Sequence, residues 1–399
     1  MDLNDKHIVL GISGGVAAYK ACDLARRLQD QGARVQAVLT ASAMRFVSPA
    51  LLQAVTGRPA FHDLWDDRFA TGMGHIELSR GPDALLVAPA TANFIARLAA
   101  GLCDDLLSTL AVARERQRCR LLVAPAMNTQ MWQHPATQRN VRTIRDDGAI
   151  LLGPAEGAQA CGETGFGRLL EPEQIVEDVI AAFAPKTLAG RRVLISAGPT
   201  FEPIDPVRGI TNLSSGKMGY AIARAAVEAG AEVTLVSGPT ALPAPCVARR
   251  LDVLTAQEMF EAVMSQAGRC DVFISVAAVA DWRADTVSPV KLKKDDGAPT
   301  LRLSRNPDIL SQVGHLPSAP FCVGFAAETD RVVEHARAKL ASKRASMIVA
   351  NLAQDVLGSD QAELIVVDAQ GELTWPRAAK LEQARRLVAE IAARLPKGD

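Results

Sequence analysis

Features typical of membrane, secreted and nucleic-acid-binding proteins are missing from this sequence. No apolar run comes near the about 20 residues that a membrane-spanning helix requires. The charged start, MDLNDKHIVL, is unlike a signal peptide. The 44 basic and 44 acidic residues cancel, which disfavours an extended surface for nucleic acid or anionic lipid but leaves room for a local phosphate pocket. We therefore expect partners other than membranes and nucleic acids.

Paired cysteines are missing as well. The sequence has no C-x-x-C pair, so neither a zinc site nor a disulfide framework is expected, and a cytoplasmic location fits best. Hydrophobic residues make up 48% of the chain and charged residues 22%, which predicts a large core rather than disorder. We expect most of the seven thiols to be small core residues; they are Cys22, Cys103, Cys119, Cys161, Cys246, Cys270 and Cys322.

The dinucleotide fingerprint G-x-G-x-x-G is absent from the first glycine loop, although the elements around that loop follow a regular order. Strand His7–Ile12 leads into Ser13-Gly14-Gly15, then into a helix that ends near Gln31 and a strand at Val35–Thr40. This order predicts a right-handed βαβ unit of a parallel sheet. The loop presents backbone N–H groups at a helix start, which suits one phosphate; an ordinary tight turn is the alternative.

The same order of elements begins again in the second half of the chain. Val193–Ser196 is a short apolar strand, a helix runs from Gly216 to Gly230, and Val233–Val236 is the next strand. A proline- and glycine-containing linker at 185–190 precedes this second start. We therefore predict an α/β protein of two doubly wound, Rossmann-like domains that comprise residues 1–189 and 190–399.

Polar loops follow three further strands of the first half. Thr40 ends the second strand, Leu85–Ala88 leads into the PATAN loop with Thr91 and Asn93, and Leu121–Val123 leads into PAMNTQMW with Asn128. Ligands of open α/β sheets bind at the carboxyl ends of strands, so these loops are pocket candidates. Ordinary turn chemistry explains each loop equally well when it is taken alone, and the Met and Trp of PAMNTQMW are as typical of a core.

Two reactive side chains lie in glycine-rich segments. His75 is flanked by glycines, which we interpret as an exposed loop before a short strand; a lone histidine is otherwise more often structural. Cys161 lies in ACGETGFGR, where three glycines indicate a mobile flap. A thiol on a flap is not a core thiol.

Together these motifs resemble a known family. GISGG, PATAN, PAMNTQMW and ACGETGFGR are similar to the flavin-dependent cysteine decarboxylases, and their order and spacing match the phosphopantothenoylcysteine decarboxylase half of the bifunctional coenzyme A biosynthesis family. One segment departs from the family pattern P-A-S-A-N-T. Thr91 keeps the hydroxyl of the usual serine, whereas Phe94 loses that of the usual threonine.

The resemblance implies a flavodoxin-like FMN domain and a role for each matching residue. FMN would oxidise the substrate thiol and so create the electron sink that loss of CO₂ requires. Asn128 would hold the substrate carboxylate, His75 would act as base or orienter, and Cys161 would protonate the resulting enethiolate. The residues implied to hold FMN are Ser13, Gly14, Thr40, Thr91 and Asn93.

The second half carries a loop, RGITNLSSGKMG, that is similar to a P-loop but does not match one. Six residues rather than four separate its glycines, and Met218 replaces the required Ser or Thr. Its hydroxyls and backbone N–H groups at a helix start still suit a phosphate-bearing substrate. A polar connection between strand and helix is the alternative.

Further polar groups follow the later strands of this half. Asp281 follows the strand Asp271–Val276 and suits a nucleotide hydroxyl or Mg²⁺, and the run VKLKK supplies Lys291, Lys293 and Lys294. A charge run is usually only solvated, but lysines aimed at a pocket would neutralise a triphosphate. Asn306 is predicted to cap a helix that has Pro307 in its first turn. Lys339 and Lys343 share one face of a later helix because they are four residues apart.

These motifs resemble the phosphopantothenate–cysteine ligase half of the same family, so that the resemblance covers nearly the whole chain. It implies a nucleotide-binding ligase domain in which the carboxylate of 4′-phosphopantothenate is activated as an acyl-cytidylate by CTP with Mg²⁺, before the amine of cysteine attacks. Asp281 would hold the metal, Asn212 would contact the acyl-cytidylate, and Arg208 would bind the phosphopantothenate side. The residues implied to bind CTP are Ala277, Ala278, Asp281, Lys291, Asn306, Pro307, Asp308, Ile309, Phe325, Lys339 and Lys343.

Two other functions compete with this interpretation. A nicotinamide-dependent oxidoreductase would also use two Rossmann-like domains, but both halves lack its fingerprint. A non-catalytic flavin-binding regulatory protein resembles the first half, but His75, Asn128 and Cys161 are all present. The resemblance also implies a homo-oligomer with trimeric flavin domains, dimeric ligase domains and a flavin pocket at a subunit boundary.

Overall fold

The computed structural model describes residues 2–69, 72–242, 249–293, 300–328, 331–352 and 359–396. The chain divides into two compact units, Met1–Phe183 and Ala184–Asp399. Each unit contains a sheet that is wholly or mainly parallel and is interleaved with helices. The predicted α/β, doubly wound architecture is therefore confirmed.

The first unit is built on five parallel strands in the spatial order β2-β1-β3-β4-β5. This is the order of flavodoxin-like folds, whose ligands bind where the strand order reverses, between β1 and β3. An antiparallel hairpin, β6–β7, follows the sheet. The strands are β1 (His7–Ile12), β2 (Arg34–Leu39), β3 (Ala84–Ala90), β4 (Arg120–Pro125), β5 (Ile150–Leu151), β6 (Ala155–Ala158) and β7 (Thr164–Arg168).

In the described part of this unit, eight α-helices connect and cover these strands. A 3₁₀ turn, Val16–Tyr19, precedes the first of them, so the helix predicted from the glycine loop begins later than expected. The helices are α1 (Lys20–Asp30), α2 (Pro49–Thr56), α3 (Gly74–Ser79), α4 (Ala92–Ala100), α5 (Leu106–Ala113), α6 (Thr129–Gln133), α7 (Pro135–Asp146) and α8 (Pro172–Phe183).

The second unit has an eight-stranded sheet in the order β12-β11-β8-β13-β16-β17-β18-β19. The first six strands of this order are parallel and the last two are antiparallel additions. The sheet strands are β8 (Arg192–Ala197), β11 (Glu232–Ser237), β12 (Arg249–Asp252), β13 (Val272–Ser275), β16 (Phe321–Glu328), β17 (Met347–Leu352), β18 (Gln361–Asp368) and β19 (Gly371–Ala379).

Two short hairpins and five helices complete the described part of this unit. One hairpin joins β9 (Phe201–Pro203) to β10 (Gly209–Thr211), and the other joins β14 (Trp282–Ala284) to β15 (Leu303–Arg305). The helices are α9 (Lys217–Glu228), α10 (Ala256–Ala267), α11 (Ile309–Gly314), α12 (Val332–Lys343) and α13 (Lys380–Arg394).

The core follows from the alternation of side chains along buried strands. In β1, Ile8 and Leu10 belong to one hydrophobic cluster and Val9 to another, on the opposite face of the sheet. On α1, Leu24 and Leu28 lie one above the other and pack into the first of these clusters. Strands that are buried on both faces need continuous apolar runs. These runs allowed the strands to be predicted from the sequence.

Three local predictions differ from the structure. His75 lies in helix α3 and is half-buried, not exposed in a loop. Helix α11 is capped by Asp308, whose Oδ1 accepts from the N–H of Ser311 at 2.9 Å, so Asn306 is not the cap. Among the cysteines, Cys103 is exposed in addition to Cys161; Cys119 and Cys322 are buried, Cys22 and Cys270 are half-buried, and Cys246 lies outside the described residues.

In the described ranges, no helix combines the length and the apolar character that crossing a membrane would require.

Candidate active sites

A cavity of about 790 Å³ opens at the carboxyl ends of β1, β3 and β4. Its volume lies within the range of about 300–1,000 Å³ that is usual for small-molecule pockets. The walls come from the glycine loop, the PATAN loop, the PAMNTQMW loop and the β6–β7 hairpin. Of the residues predicted for this site, five line the cavity: Gly14, Thr91, Asn93, Asn128 and Cys161.

At the glycine loop, the floor of the cavity packs tightly against the segment that follows β2. A Cβ atom on Gly14 would lie 2.4 Å from Cβ and Oγ of Ser42, so a larger residue does not fit. Ser13 is buried beneath the loop, where its Oγ accepts from the N–H of Thr91 at 2.9 Å. Thr40 is buried too and accepts from the N–H of Ala43 at 3.2 Å. Ser13 and Thr40 thus support the wall instead of lining it.

The hydroxyls of Ser42 and Thr91, the backbone N–H groups and the small side chains that line this floor suit a phosphate-bearing, planar cofactor such as FMN. Thr91 caps α4 and presents its side chain beside Gly15, and Asn93 is exposed to the cavity. Sequence reasoning missed Lys20, which also lines the cavity and whose Nζ lies 2.8 Å from Oε2 of Glu171. The ammonium group of Lys20 lowers the pKa of Glu171, so this carboxylate is charged at neutral pH.

The opposite wall brings an amide and a thiol together. Asn128 is the N-cap of α6, and its Oδ1 accepts from the N–H of Gln130 at 2.9 Å. Its Nδ2 lies 3.4 Å from Sγ of Cys161, at the turn of the β6–β7 hairpin. The hydrogen bond from Asn128 is the largest cause of a lowered pKa at the exposed Cys161 thiol. The segment predicted to be a mobile flap forms the β6–β7 hairpin, with its thiol against the amide, and its mobility stays a prediction.

Two further residues of the hairpin were not identified from the sequence. Gln159 ties the turn to α6, because its Oε1 accepts from the N–H of Thr129 at 2.9 Å. Glu163 places Oε2 at 2.5 Å from Nδ2 of Asn128. Both residues lie within three positions of Cys161, but the sequence gives no sign that their side chains point towards α6.

His75 is not among the residues that line this cavity within one chain. It lies on α3, and its Nδ1 atom is buried without a hydrogen-bond partner in the described part of the chain. The proximity of His75 to the thiol that the sequence predicts is therefore not present inside the single chain.

The second unit has two adjoining cavities at the carboxyl edge of its sheet, of about 670 Å³ and about 550 Å³. They share three wall residues, Ala277, Val279 and Phe325. The strand order reverses between β8 and β13, which is where open α/β sheets place ligands. We call the larger cavity, walled by the loop Thr211–Gly219, the loop cavity, and the smaller, walled by α11 and α12, the helix cavity.

Asn212 lies at the junction of the two cavities. Its Nδ2 donates to the carbonyl oxygens of Ala278 at 3.2 Å and of Val279 at 3.1 Å. The side chain thereby links the loop after β10 to the segment after β13. A ligand that spans both cavities would pass this carboxamide.

The helix cavity gathers most of the residues predicted to bind a nucleotide. Lys343 forms an ion pair with Asp308, and Nζ of Lys339 donates to the carbonyl of Phe325 at 2.7 Å. Burial opposes ionisation of Asp308, but Lys343 and the N–H of Ser311 outweigh it, so the pKa of Asp308 is lowered. The predicted residues that line this cavity are Ala277, Asp281, Asn306, Pro307, Asp308, Ile309, Phe325, Lys339 and Lys343.

Three predicted residues lie elsewhere. Ala278 lines the loop cavity, while Arg208 and Lys291 are exposed and line neither cavity. Nη2 of Arg208 donates to the carbonyl of Leu292 at 2.7 Å, so Arg208 holds the segment that carries Lys291. Lys294 lies outside the described residues.

Two lysines of the loop cavity had no role in the sequence interpretation. Nζ of Lys217 pairs with Oδ1 of Asp360 at 2.6 Å. Lys380 lines the same cavity although it is only 8% exposed, and burial followed by the charge of Lys217 lowers its pKa. Their separation in sequence, 163 residues (380 − 217), explains why no local pattern joined them.

No group of three or more His, Cys, Asp or Glu side chains close enough to bind a metal ion occurs in the described ranges. A Mg²⁺ ion that arrives with a nucleotide needs only one or two carboxylates, because phosphate and water oxygens complete its coordination. Asp281, exposed in the helix cavity, meets that requirement.

Comparison with known proteins matches each unit to a family. Residues 1–184 match the family described as "Flavoprotein", and residues 188–395 match the "DNA/pantothenate metabolism flavoprotein C-terminal domain". Among solved structures, the C-terminal domain of the coenzyme A biosynthesis bifunctional protein CoaBC is 43% identical, covers 53% of this chain and 98% of its own, and has a TM-score of 0.47. The FMN-dependent cysteine decarboxylase SpaF is 32% identical, covers 46% of this chain and 99% of its own, and has a TM-score of 0.40.

Curated relatives match over nearly the full length. The coenzyme A biosynthesis bifunctional protein CoaBC of Vibrio vulnificus is 48% identical over 396 residues, 98% of each chain. That of Escherichia coli is 46% identical over 402 residues, 99% of this chain and 98% of the relative. The Bacillus subtilis protein of the same name is 43% identical over 402 residues, 98% of each. The chain therefore belongs to the family of coenzyme A biosynthesis bifunctional proteins.

Proposed function

We propose that this chain catalyses two consecutive reactions of coenzyme A biosynthesis. The second unit ligates cysteine to 4′-phosphopantothenate with CTP and Mg²⁺, and the first unit decarboxylates the product to 4′-phosphopantetheine with FMN. The observation that carries the proposal is the contact of Cys161 with Asn128 at 3.4 Å in a cavity at the reversal point of a flavodoxin-like sheet. The family of the chain supports both activities.

In the first unit, the chain's own residues bind and orient the substrate and supply a proton. When bound, FMN would take two electrons from the substrate thiol, which makes loss of CO₂ possible, and would return them afterwards, so that the product is again a thiol and the cofactor is unchanged overall. Asn128 holds the substrate carboxylate through Nδ2, since Oδ1 is already used to cap α6. A neutral amide binds a carboxylate without stabilising it as strongly as a cation would, which preserves the driving force for loss of CO₂. Cys161 donates the proton to the substrate carbon.

The floor of the cavity around Gly14 would hold FMN. The backbone at Gly14, the half-buried hydroxyl of Thr91 and the exposed amide of Asn93 line the cavity and suit the cofactor. Ser13 and Thr40 keep these loops in place. Because His75 lies away from the cavity of its own chain, we propose that it acts in the cavity of a neighbouring copy. This requires the flavin unit to assemble with further copies of itself. The trimeric flavin unit and the dimeric ligase unit that the resemblance implies stay predictions.

In the second unit, the helix cavity takes the nucleotide and the loop cavity takes phosphopantothenate. Lys339 and Lys343 neutralise charge on the phosphates, and Asp281 binds the Mg²⁺ that accompanies them. Asn212, at the junction, contacts the mixed anhydride formed by the carboxylate and the α-phosphate. We place Arg208 and Lys291 at the rim, where Arg208 holds the segment that carries Lys291 within reach of a bound substrate. The cytoplasmic location also stays a prediction.

A coupled assay on the purified full-length chain tests both reactions. The chain is loaded with FMN and given 4′-phosphopantothenate, cysteine, Mg²⁺ and either CTP or ATP. We expect pyrophosphate, CO₂ and 4′-phosphopantetheine with CTP, and a much lower yield with ATP. A preparation that cannot be loaded with FMN and consumes neither nucleotide overturns the proposal. The nicotinamide-dependent alternative predicts absorbance changes of NAD(P)H instead.

A further inference from the structure

The acidic residue of the hairpin turn, Glu163, contacts the amide that is proposed to bind the substrate. Its Oε2 accepts from Nδ2 of Asn128 at 2.5 Å, and the same Nδ2 lies 3.4 Å from Sγ of Cys161. At the other end of the carboxamide, Oδ1 accepts from the N–H groups of Gln130 at 2.9 Å and Met131 at 3.3 Å. Nδ2 is therefore the end of the side chain that faces Glu163 and the thiol.

The group of Glu163 that binds Nδ2 of Asn128 is a carboxylate. Asn128 is proposed to bind the same chemical group of the substrate. An amide nitrogen has two hydrogens, and Nδ2 has two partners here, the thiol sulfur of Cys161 and the carboxylate of Glu163. A substrate carboxylate that approaches the thiol therefore meets a donor already in use. Two carboxylates on one donor repel each other, so the substrate can bind Nδ2 only when Glu163 leaves it.

The position of Glu163 allows its side chain to leave Asn128 at little cost in free energy. Its side chain is exposed, so that water can solvate the carboxylate once it is released. It ends a tight turn in which the N–H of Gln159 donates to the carbonyl of Glu163 at 2.9 Å, and the preceding Gly162 has a φ of 87°. The backbone of the turn is thus held while the side chain rotates.

We propose that Glu163 is a positioning residue that occupies the place of the substrate carboxylate on Asn128 in the resting enzyme, and that the substrate displaces it. The inference rests on the proposed decarboxylase function. In the resting site Glu163 keeps the amide pointed at the thiol and ties the hairpin to α6. On binding, the carboxylate of the substrate takes its place. Glu163 therefore competes for Asn128 only with ligands that carry a carboxylate.

Glu163 acts on the pKa of the Cys161 thiol in two opposite ways, because its backbone N–H lowers this pKa and the charge of its carboxylate raises it. The hydrogen bond from Asn128 lowers the pKa of Cys161, whereas the negative charge of Glu163 acts in the opposite direction. A group that is to donate a proton has to carry one before the reaction begins. The carboxylate of Glu163 thus opposes ionisation of the thiol, whereas the net direction at Cys161, a lowered pKa, is set by the hydrogen bonds from Asn128 and from the backbone of Glu163.

The test compares Glu163→Gln and Glu163→Ala with the wild-type chain, each as the full chain loaded with FMN. The variable is the KM for 4′-phosphopantothenoylcysteine in the decarboxylation step. Both variants should lower KM by roughly threefold to tenfold, the size expected when one competing hydrogen bond to a charged group is removed. The kcat should stay within about twofold of wild type, because Glu163 has left Asn128 before the chemistry begins. Inhibition by 4′-phosphopantetheine, which has no carboxylate, should not change.

Glu156→Gln is the matched control, because it removes the same charge from the exposed side of β6 in the same hairpin. Its KM should equal that of wild type, and FMN absorbance reports whether every variant is folded and loaded. If the wild type turns over but KM is unchanged or raised in both Glu163 variants, the inference is wrong. It is equally wrong if KM and inhibition by 4′-phosphopantetheine shift together. Absence of turnover in the wild type instead overturns the proposed function.

Discussion

The Nδ2 atom of Asn128 lies 3.4 Å from the Sγ atom of Cys161, although 33 residues separate them in the chain. One residue caps a helix that follows β4, and the other occupies the turn of a hairpin beyond β5. The exposed thiol therefore has a defined polar partner. This relationship gives the cysteine a defined position at the cavity, as its proposed role of proton donor requires.

Replacing Cys161 by serine should separate oxidation of the substrate from completion of the reaction. A serine hydroxyl is a much weaker acid than a thiol, so proton donation to the substrate carbon should slow by at least about 100-fold. CO₂ should still be released, and the FMN content should match that of wild type. The measurement is the ratio of 4′-phosphopantetheine to CO₂ in a single turnover.

Cys103→Ser is the control for this variant, because Cys103 is also exposed but does not line the cavity. It should give the wild-type ratio of product to CO₂. A wild-type ratio in Cys161→Ser as well would remove Cys161 from the proton-donating role.

Asn212→Asp should hinder amide formation in the ligase unit. Nδ2 of Asn212 donates to two carbonyl oxygens, those of Ala278 and Val279. A carboxylate in its place has no hydrogen to donate and is repelled by both oxygens, so the junction between the cavities should open. Pyrophosphate release from CTP should persist while the yield of phosphopantothenoylcysteine falls by about tenfold or more.

The control for the Asn212 variant is the other reaction of the same chain. Decarboxylation of preformed phosphopantothenoylcysteine should proceed at the wild-type rate, because Asn212 belongs to the second unit. Normal amide yield would show that Asn212 has no part in the reaction, and loss of both reactions would indicate misfolding.

The strands and their order of connection could be predicted from the sequence because buried parallel strands require short, continuous apolar runs. His7–Ile12 was predicted to the residue, and β8, β11 and β16 were located within three residues at each end. The N-cap of α11 was not predicted correctly, because Asn306 and Asp308 are both good capping residues. The choice between them depends on a tertiary contact, the bond from Nδ2 of Asn306 to the carbonyl of Ala280 at 2.8 Å.

The site could be predicted as a set of loops but not as a set of contacts. Loops at the carboxyl ends of strands identify Gly14, Thr91 and Asn128, since topology alone brings them together. The contact of Asn128 with Glu163 on the hairpin could not be predicted. It depends on the direction of a side chain in a turn, and no sequence periodicity indicates that direction. Lys380 was missed because a lysine at the start of a late helix is normally solvated, and its burial depends on the packing of the whole unit.

Lys343→Gln should weaken the use of CTP without affecting decarboxylation. Lys343 pairs with Asp308 in the helix cavity, so the substitution removes a cation from the nucleotide side and also leaves Asp308 without this partner. We expect KM for CTP to rise by about tenfold, which corresponds to about 1.4 kcal/mol. Arg337→Gln, on the same helix but paired at the exposed surface with Glu372 at 3.3 Å, should leave KM for CTP unchanged. Equal effects of the two substitutions would contradict a nucleotide site at α12.

The stability of the first unit should fall in mild acid because of His7. Burial, followed by the charges of Arg34 and Arg58, lowers the pKa of His7 from 6.5 to about 4. Between these values the unfolded chain binds a proton that the folded chain does not, so the free energy of unfolding decreases as the pH falls from 6.5 towards 4. Between pH 7.5 and pH 5 the loss should be about 2 kcal/mol.

The His7→Gln variant cannot bind this proton and should lose correspondingly less between the same two pH values, whatever its stability at pH 7.5. The measurement is urea unfolding of the FMN-loaded chain, followed by the release of flavin fluorescence, at both pH values. An equal loss in the variant and the wild type would show that His7 does not resist protonation in the folded state.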